Sequence, residues 1–293
     1  MSSSANDRET VAIIGAGEMG SAAGRRLRQW GARVITQLKG RSEQSVRRVA
    51  DAELEVIDDD EQLAREADYV LSIVPPAVAG EVAARFCDPL RRTPRKPVFV
   101  ECNAISPATV RRIEATLAGT GCSFVDAGII GGPPLAEERA KGPRFYASGR
   151  HAQQFARLTR YGLDVAVLEA PVGAASALKL AYAGLTKGFT ALGTAMIGAA
   201  AREGLAESLR AELARTQPDM LIRFERFMPG MFAKAYRWVA EMEQIAEFAG
   251  EESNGAMIYR GAARLYEQIA AEFERPQPSN RLEALTSFCK RRN

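Results

Sequence analysis

The chain has 293 residues, with 39 Lys and Arg against 36 Asp and Glu, a formal net charge of +3, and 46% apolar and 26% charged residues. This balance excludes a disordered, collagen-like or coiled-coil chain and leaves no electrostatic footprint for nucleic acid. A single histidine, His151, excludes a metal site built on several histidines.

The four cysteines, Cys87, Cys102, Cys122 and Cys289, form no Cys-x-x-Cys pair and read as free thiols of a reducing compartment. Residues 1–10 are polar and lack the apolar stretch of a secretory signal. The uncharged run from Gly188 to Ala201 falls short of the ~20 residues that span a bilayer. A cytoplasmic protein without membrane segments is expected.

In chain order, Val11–Ile14 predicts a strand and Glu18–Trp30 a helix closed by Gly31. Arg33–Thr36 predicts a strand, Ser42–Ala50 a helix, Leu54–Ile57 a short strand and Glu61–Ala67 a short helix. The acids Asp58-Asp59-Asp60-Glu61 suit a helix start, where they complement the dipole. Tyr69–Val74 is an apolar strand stopped by Pro75-Pro76, followed by a helix over 78–90 and a strand over 97–101. Ser106-Pro107 is an N-cap followed by proline at the first helical position, opening a helix to Leu117. Strands follow at Cys122–Val125, Arg144–Ser148 and Val165–Leu168, with a helix near 151–161. His151 itself reads as a surface or capping residue.

Strands alternating with helices predict a doubly wound parallel sheet. From Gly173 the strand pattern stops. Ala174–Glu203 predicts one long helix, apolar on all sides and therefore expected to be buried on all sides. Helices over 205–216, 219–227, 231–248, 254–274 and 280–289 complete an all-α region. The expected division is an α/β domain over 1–170 and a helical domain over 171–293. In the helix from Met231, the apolar stripe Met231, Ala235, Trp238, Met242 and Ile245 reads as core or as a subunit contact, with Tyr236, Trp238 or Glu241 as alternatives lining a substrate pocket.

The first strand runs directly into Gly15-Ala16-Gly17-Glu18-Met19-Gly20 and then a helix. This is G-x-G-x-x-G in the strand–turn–helix context that dinucleotide binding requires. Gly15 permits the turn, Gly17 lets backbone approach a pyrophosphate, and Gly20 lets helix pack on strand. The carboxylate that usually bonds the ribose 2′-OH of NAD is absent from residues 34–42. Lys39, Arg41 and Ser42 stand there instead, a set that suits a 2′-phosphate, so NADP is expected.

The form Gly-Ala-Gly-Glu-Met-Gly resembles the β-hydroxyacid dehydrogenase family, within the 6-phosphogluconate dehydrogenase superfamily. Further landmarks follow in order: Ser72-Ile73-Val74-Pro75-Pro76, Glu101-Cys102-Asn103-Ala104-Ile105-Ser106-Pro107, Asp126-Ala127-Gly128-Ile129-Ile130-Gly131-Gly132, and Gly173 followed by Lys179 on the first long helix. The resemblance covers residues 11–188, and beyond them it extends only to helical content. It implies an N-terminal Rossmann-type domain, a helical domain that contributes to substrate binding and dimerisation, and a homodimer acting on a small molecule.

It further implies that Glu18, Met19, Val74, Pro75 and Asn103 join the glycines around the cofactor, with Lys179 as general acid/base. A lysine on an apolar helix face suits that role, because burial disfavours an ammonium. Asn103, Ile130, Gly131, Gly132, Tyr182 and Trp238 are the expected substrate contacts. Ile130 stands where the family has serine, and Ala183 where it has asparagine. A larger, less polar alcohol or ketone than a short hydroxyacid is therefore expected. Imine reductases share the architecture, but they commonly carry Asp or Tyr where Lys179 stands. Imine reduction and a non-catalytic NADPH sensor remain alternatives.

Overall fold

The computed structural model describes residues 8–134, 142–250 and 252–290; residues 1–7, which carry most of the polar N-terminal stretch read above, lie outside these. The chain begins with β1 (Thr10–Ile14), α1 (Glu18–Gln29), β2 (Arg33–Thr36), α2 (Glu43–Asp51), β3 (Glu55–Val56), α3 (Asp60–Glu66) and β4 (Tyr69–Ser72). It continues through α4 (Ala79–Arg92), β5 (Val98–Glu101), α5 (Pro107–Leu117), β6 (Ser123–Ile130), β7 (Arg144–Ser148), α6 (Ala152–Ala156) and β8 (Asp164–Val167). Local chemistry starts three of these helices within one residue of the predicted starts. Ser42, Asp59 and Ser106 accept hydrogen bonds from the backbone N–H groups of Ser45, Gln62 and Thr109, respectively.

Among the described residues, eight strands form one sheet in the order β3-β2-β1-β4-β5-β6-β7-β8. All pairs are parallel except β6 with β7. The first six strands thus have the doubly wound order in which β1 and β4 flank the topological switch point. Alternate residues of β1 enter opposite cores. Val11 and Ile13 pack in a layer with Ala23 and Leu27 of α1, whereas Ala12 and Ile14 pack in one with Leu63, Phe86 and Val110 of α3, α4 and α5.

β6 is longer than the sequence pattern indicates. It continues past Val125 to Ile130, because β7 turns back against it in antiparallel register from Asp126↔Ser148 to Ile130↔Arg144. Residues 126–130, beyond the predicted end of this strand, are therefore strand as well.

The helical region comprises α7 (Ala174–Ala183), α8 (Phe189–Arg202), α9 (Ala206–Thr216), α10 (Pro218–Phe227), α11 (Ala235–Phe248), α12 (Asn254–Phe273) and α13 (Asn280–Cys289). Chain contacts divide the molecule into residues 1–179 and 180–293. The strand pattern ends near residue 170, but the first turns of α7 pack with the sheet.

The stretch 174–202 is helical throughout but not uniformly so. A π-helical turn, Gly184–Gly188, joins α7 to α8. There Gly184 and Gly188 receive the Tyr259 ring, and the Tyr266 hydroxyl donates to the Lys187 carbonyl at 2.5 Å. The expectation of burial on all sides is corrected as well. Leu185, Leu192 and Met196 are 73%, 62% and 55% exposed in the single chain. The opposite face carries the buried residues, among them Ala191 and Ile197. In contrast, Met231, Ala235, Met242 and Ile245 are buried, as the apolar stripe requires. None of the described helices is long and apolar enough to cross a membrane.

Candidate functional site

The glycine loop leaves β1 at the switch point. Gly15 has φ +98, and a Cβ there would lie 2.1 Å from the Ile73 carbonyl oxygen and 2.9 Å from Val74 Cγ1. The loop is therefore pressed against the β4 exit, and only glycine fits. A Cβ on Gly20 would meet the Gly15 carbonyl oxygen at 2.1 Å, so this glycine sets the close approach of α1 to its own loop. Gly17 precedes α1 as its N-cap residue and faces open space, with nothing within 4 Å of an ideal Cβ. Among the described residues, no side chain caps α1. Its first N–H groups and positive dipole end, fronted by an open glycine, fit the pyrophosphate of a dinucleotide. Glu18 is exposed and Met19 half-buried on the first turn.

Asn103 ties the neighbouring loops together. Its Oδ1 accepts from Val74 N at 2.6 Å and its Nδ2 donates to Ser72 Oγ at 3.1 Å. Its own N–H donates to Glu101 Oε1 at 2.9 Å. The side chain is 4% exposed. The structure thus brings together the glycine loop, Val74-Pro75 and Asn103 at the carboxyl ends of β1, β4 and β5.

Glu101, which sequence reading passed over, lies beneath Asn103 and is 1% exposed. Burial pushes its carboxyl up to about 8, against the pull of its bonds with Asn103 and Ser72; the nearby Asp126 charge adds to the rise. A carboxyl in this range is largely protonated at neutral pH.

Asp126, paired with Glu101 in the sheet register, holds the start of α7. Its Oδ2 accepts from Ser148 Oγ, Gly173 N and Ser176 N at 2.9, 2.9 and 3.1 Å, and its Oδ1 from Ser176 Oγ at 2.6 Å. Ser148 Oγ in turn accepts from Ala175 N at 3.1 Å. These bonds satisfy the first amides of a helix that carries Lys179 one turn further on. Two residues along β6, Gly128 admits that helix closely. A Cβ there would sit 2.6 Å from the Ala175 carbonyl oxygen and 3.0 Å from Lys179 Cβ. Lys179 is half-buried beside β6, and Tyr182, three residues later, is 49% exposed.

Ile130 ends β6, and Gly131 takes φ +126 next to Pro143, which would meet its Cβ at 2.8 Å; Gly132 is exposed. Within residues 180–293, Trp238 stands edge-on to Tyr266 at 5.1 Å, and Lys187 Nζ lies 5.1 Å from the centre of its ring. Lys187 also pairs with the buried Glu241. Trp238 is thus part of an aromatic and charged cluster next to the π-helical turn.

Beyond β2, Lys39 and Ser42 are exposed, and Ser42 is engaged as the cap of α2. Arg41 is half-buried and lines a small recess with Ile14, Gln37, Asp60, Leu63 and Arg85. Asp60 and Arg85 came into view only in three dimensions, because 25 residues separate them. His151 is half-buried and makes a side-chain contact with Gln154 at 3.3 Å. The four cysteines are free.

The pattern of the NAD binding domain of 6-phosphogluconate dehydrogenase matches residues 10–161, and that of a domain of unknown function (DUF1932) matches residues 200–269. An uncharacterized 28.5 kDa protein of Methanothermus fervidus is 27% identical over 240 residues, 81% of this chain and 90% of its own. Among solved structures, a conserved protein of unknown function, described as structurally similar to 3-hydroxyacid dehydrogenases, is 30% identical. That match covers 89% of this chain and 97% of the other, with a TM-score of 0.65. The 3-hydroxyisobutyrate dehydrogenase of Mycobacterium tuberculosis, solved with L-serine, shares the fold at 19% identity. It covers 90% of this chain and 94% of its own, with a TM-score of 0.68.

Proposed function

Because the chain belongs to the family of the NAD binding domain of 6-phosphogluconate dehydrogenase, we propose that it is an NADP(H)-dependent oxidoreductase acting on a hydroxyl or carbonyl group. The observation that carries this reading is the convergence at the carboxyl edge of the sheet. An open glycine loop, a β4 exit fixed by Asn103, and a lysine-bearing helix anchored on Asp126 all meet that edge. Open α/β sheets bind their ligands there.

In this reading the amides at the start of α1 hold the pyrophosphate, and Arg41, with Lys39 and Ser42 beside it, faces the 2′-phosphate. The bound nicotinamide supplies or accepts the hydride. Lys179 gives a proton to the substrate oxygen in reduction and takes it in oxidation. The Asp126 and Ser148 bonds to the first turn of α7 fix where that ammonium stands, and orientation of this kind lowers a barrier without adding contacts in the ground state. Asn103 orients the β4 exit and presents its remaining amide hydrogen. Ile130, Gly131 and Gly132 contact the substrate. Ile130 and Ala183 leave fewer polar contacts, so a larger, less polar alcohol or ketone suits the site better than a short hydroxyacid.

The exposed apolar stripe of α7 and α8 pairs two copies as a homodimer. The free cysteines suit a reducing, cytoplasmic setting. Lys179→Ala is the direct test, applied after a screen of ketones and alcohols graded by size. Turnover should fall by about two to four orders of magnitude, with NADPH affinity changed less than about twofold. Undiminished turnover in the variant would overturn the role of Lys179, and absence of turnover across the screen would favour an NADPH sensor.

A further inference from the structure

The recess beyond β2 contains an arginine and a carboxylate that the proposed cofactor contacts do not use. Arg85 projects from α4 and reaches Asp60 at the first turn of α3, with Nε to Oδ2 at 2.7 Å and a second nitrogen 3.5 Å from Oδ1. The Arg41 charge acts on the same carboxylate. These three side chains line one recess with Gln37, Ile14 and Leu63, at the carboxyl ends of β1 and β2. The adenosine end of a dinucleotide lies in this region when its pyrophosphate occupies the glycine loop.

Asp60 is mostly buried, with its side chain 19% exposed, whereas the Arg85 side chain is 47% exposed. Burial raises the Asp60 carboxyl, and the Arg85 guanidinium opposes that rise. The carboxylate is thus paired with one guanidinium, and a second, that of Arg41, lines the same recess. Its fork-like pairing with Arg85 keeps that side chain turned toward the recess.

Resting on the NADP reading above, we infer that Arg85 is a second ligand for the adenosine 2′-phosphate, beside Arg41, and that Asp60 sets the margin by which NADPH is preferred to NADH. The charges give the reason. A phosphate monoester of nearly two negative charges gains from two arginines, and its oxygens match the guanidinium fork. Asp60 opposes the same anion twice, by like-charge repulsion and by competing for Arg85. A ribose 2′-hydroxyl has no such conflict, because a carboxylate accepts its hydrogen bond. The site therefore combines a phosphate clamp with a hydroxyl acceptor, and the balance between them lies in one residue.

The test is fluorescence titration of the full-length protein with NADPH and with NADH, for the unaltered chain and for Arg41→Gln, Arg85→Gln, Arg85→Lys and Asp60→Asn. Arg85→Gln should weaken NADPH binding about tenfold and NADH binding less than about twofold, with Arg85→Lys in between. Asp60→Asn should raise the NADPH-to-NADH affinity ratio at least about threefold. If Arg85→Gln does not fold, Arg85→Lys and Asp60→Asn carry the same ratio test. An unaltered chain that prefers NADPH and loses that preference in Arg41→Gln, while the NADPH-to-NADH ratio is unchanged in the Arg85 and Asp60 variants, would overturn this inference and leave the cofactor reading standing. An unaltered chain that prefers NADH would overturn both.

Discussion

The two units of this chain differ in how they cover their apolar residues. In residues 1–179 the sheet has a helical layer on each face, and among the described residues the large exposed apolar ones are few and scattered: Trp30, Val46, Val56 and Leu178. In residues 180–293 exposure is patterned. Tyr182, Leu185, Leu192 and Met196 recur at helical spacing along α7 and α8, and Met257 and Ile258 stand out on α12. A βαβ layer closes its own core, because every strand is covered by the helices that connect it. A helix has a single stripe to hide, and α8 has two. One packs inside the unit and the other is exposed in the single chain.

The sharpest way to break this comparison is to attack the tight packing of the first unit. Gly15→Ala places a Cβ 2.1 Å from a backbone oxygen at φ +98. We expect NADPH and NADH to lose affinity together, by more than about a hundredfold. Gly31→Ala is the control, because Gly31 has φ +97 but no atom within 4 Å of its Cβ position. That variant carries the backbone strain without the collision and should bind both dinucleotides normally. Equal binding by both variants would show that crowding at the switch point has no role.

The second unit is tested by charge. Leu185→Glu combined with Leu192→Glu should weaken self-association by roughly a hundredfold or more, read by sedimentation velocity over a concentration series. The same pair should leave dinucleotide affinity in place. An unaltered chain that sediments as a monomer at every concentration would remove the dimer.

A smaller effect concerns pH and the first unit alone. Glu101 titrates at about 8 in the folded chain and at its ordinary 4.5 when unfolded, so the folded state binds more protons between these values. Its contribution to stability is therefore complete below pH 4.5 and is lost as pH rises toward 8, on the order of a few kcal/mol. Glu101→Gln should flatten that decline in denaturant titrations between pH 5 and 8.5. A decline of unchanged slope would mean that the carboxyl is ionised in the fold.

Much of the first unit was legible because its signals are local. Ser42, Asp59 and Ser106 cap the helices they precede, and the glycine loop follows its strand without a gap. β6 was read too short, because its last residues are strand only through pairing with β7, which follows in sequence but turns back antiparallel. The site was legible in part. Asn103 and Lys179 stand out in the chain, but the residues that position them do not. Asp126 meets Gly173 and Ser176 across 47 and 50 residues, and no periodicity reports a contact at that separation. The helix from Ala174 was read as buried all round because composition records how apolar a face is, and not whether anything packs against it.

The sequence by itself determined the alternating βα order, the positions of the caps and the glycine loop, because each depends on the conformational limits of residues close in the chain. Only the tertiary structure decided that Asp126 anchors the helix of Lys179, that Glu101 lies buried beneath Asn103, and that Arg85 and Asp60 line one recess with Arg41. Those facts depend on burial and on meetings between distant segments. Both arise only when the sheet has formed and its carboxyl edge has brought the loops together.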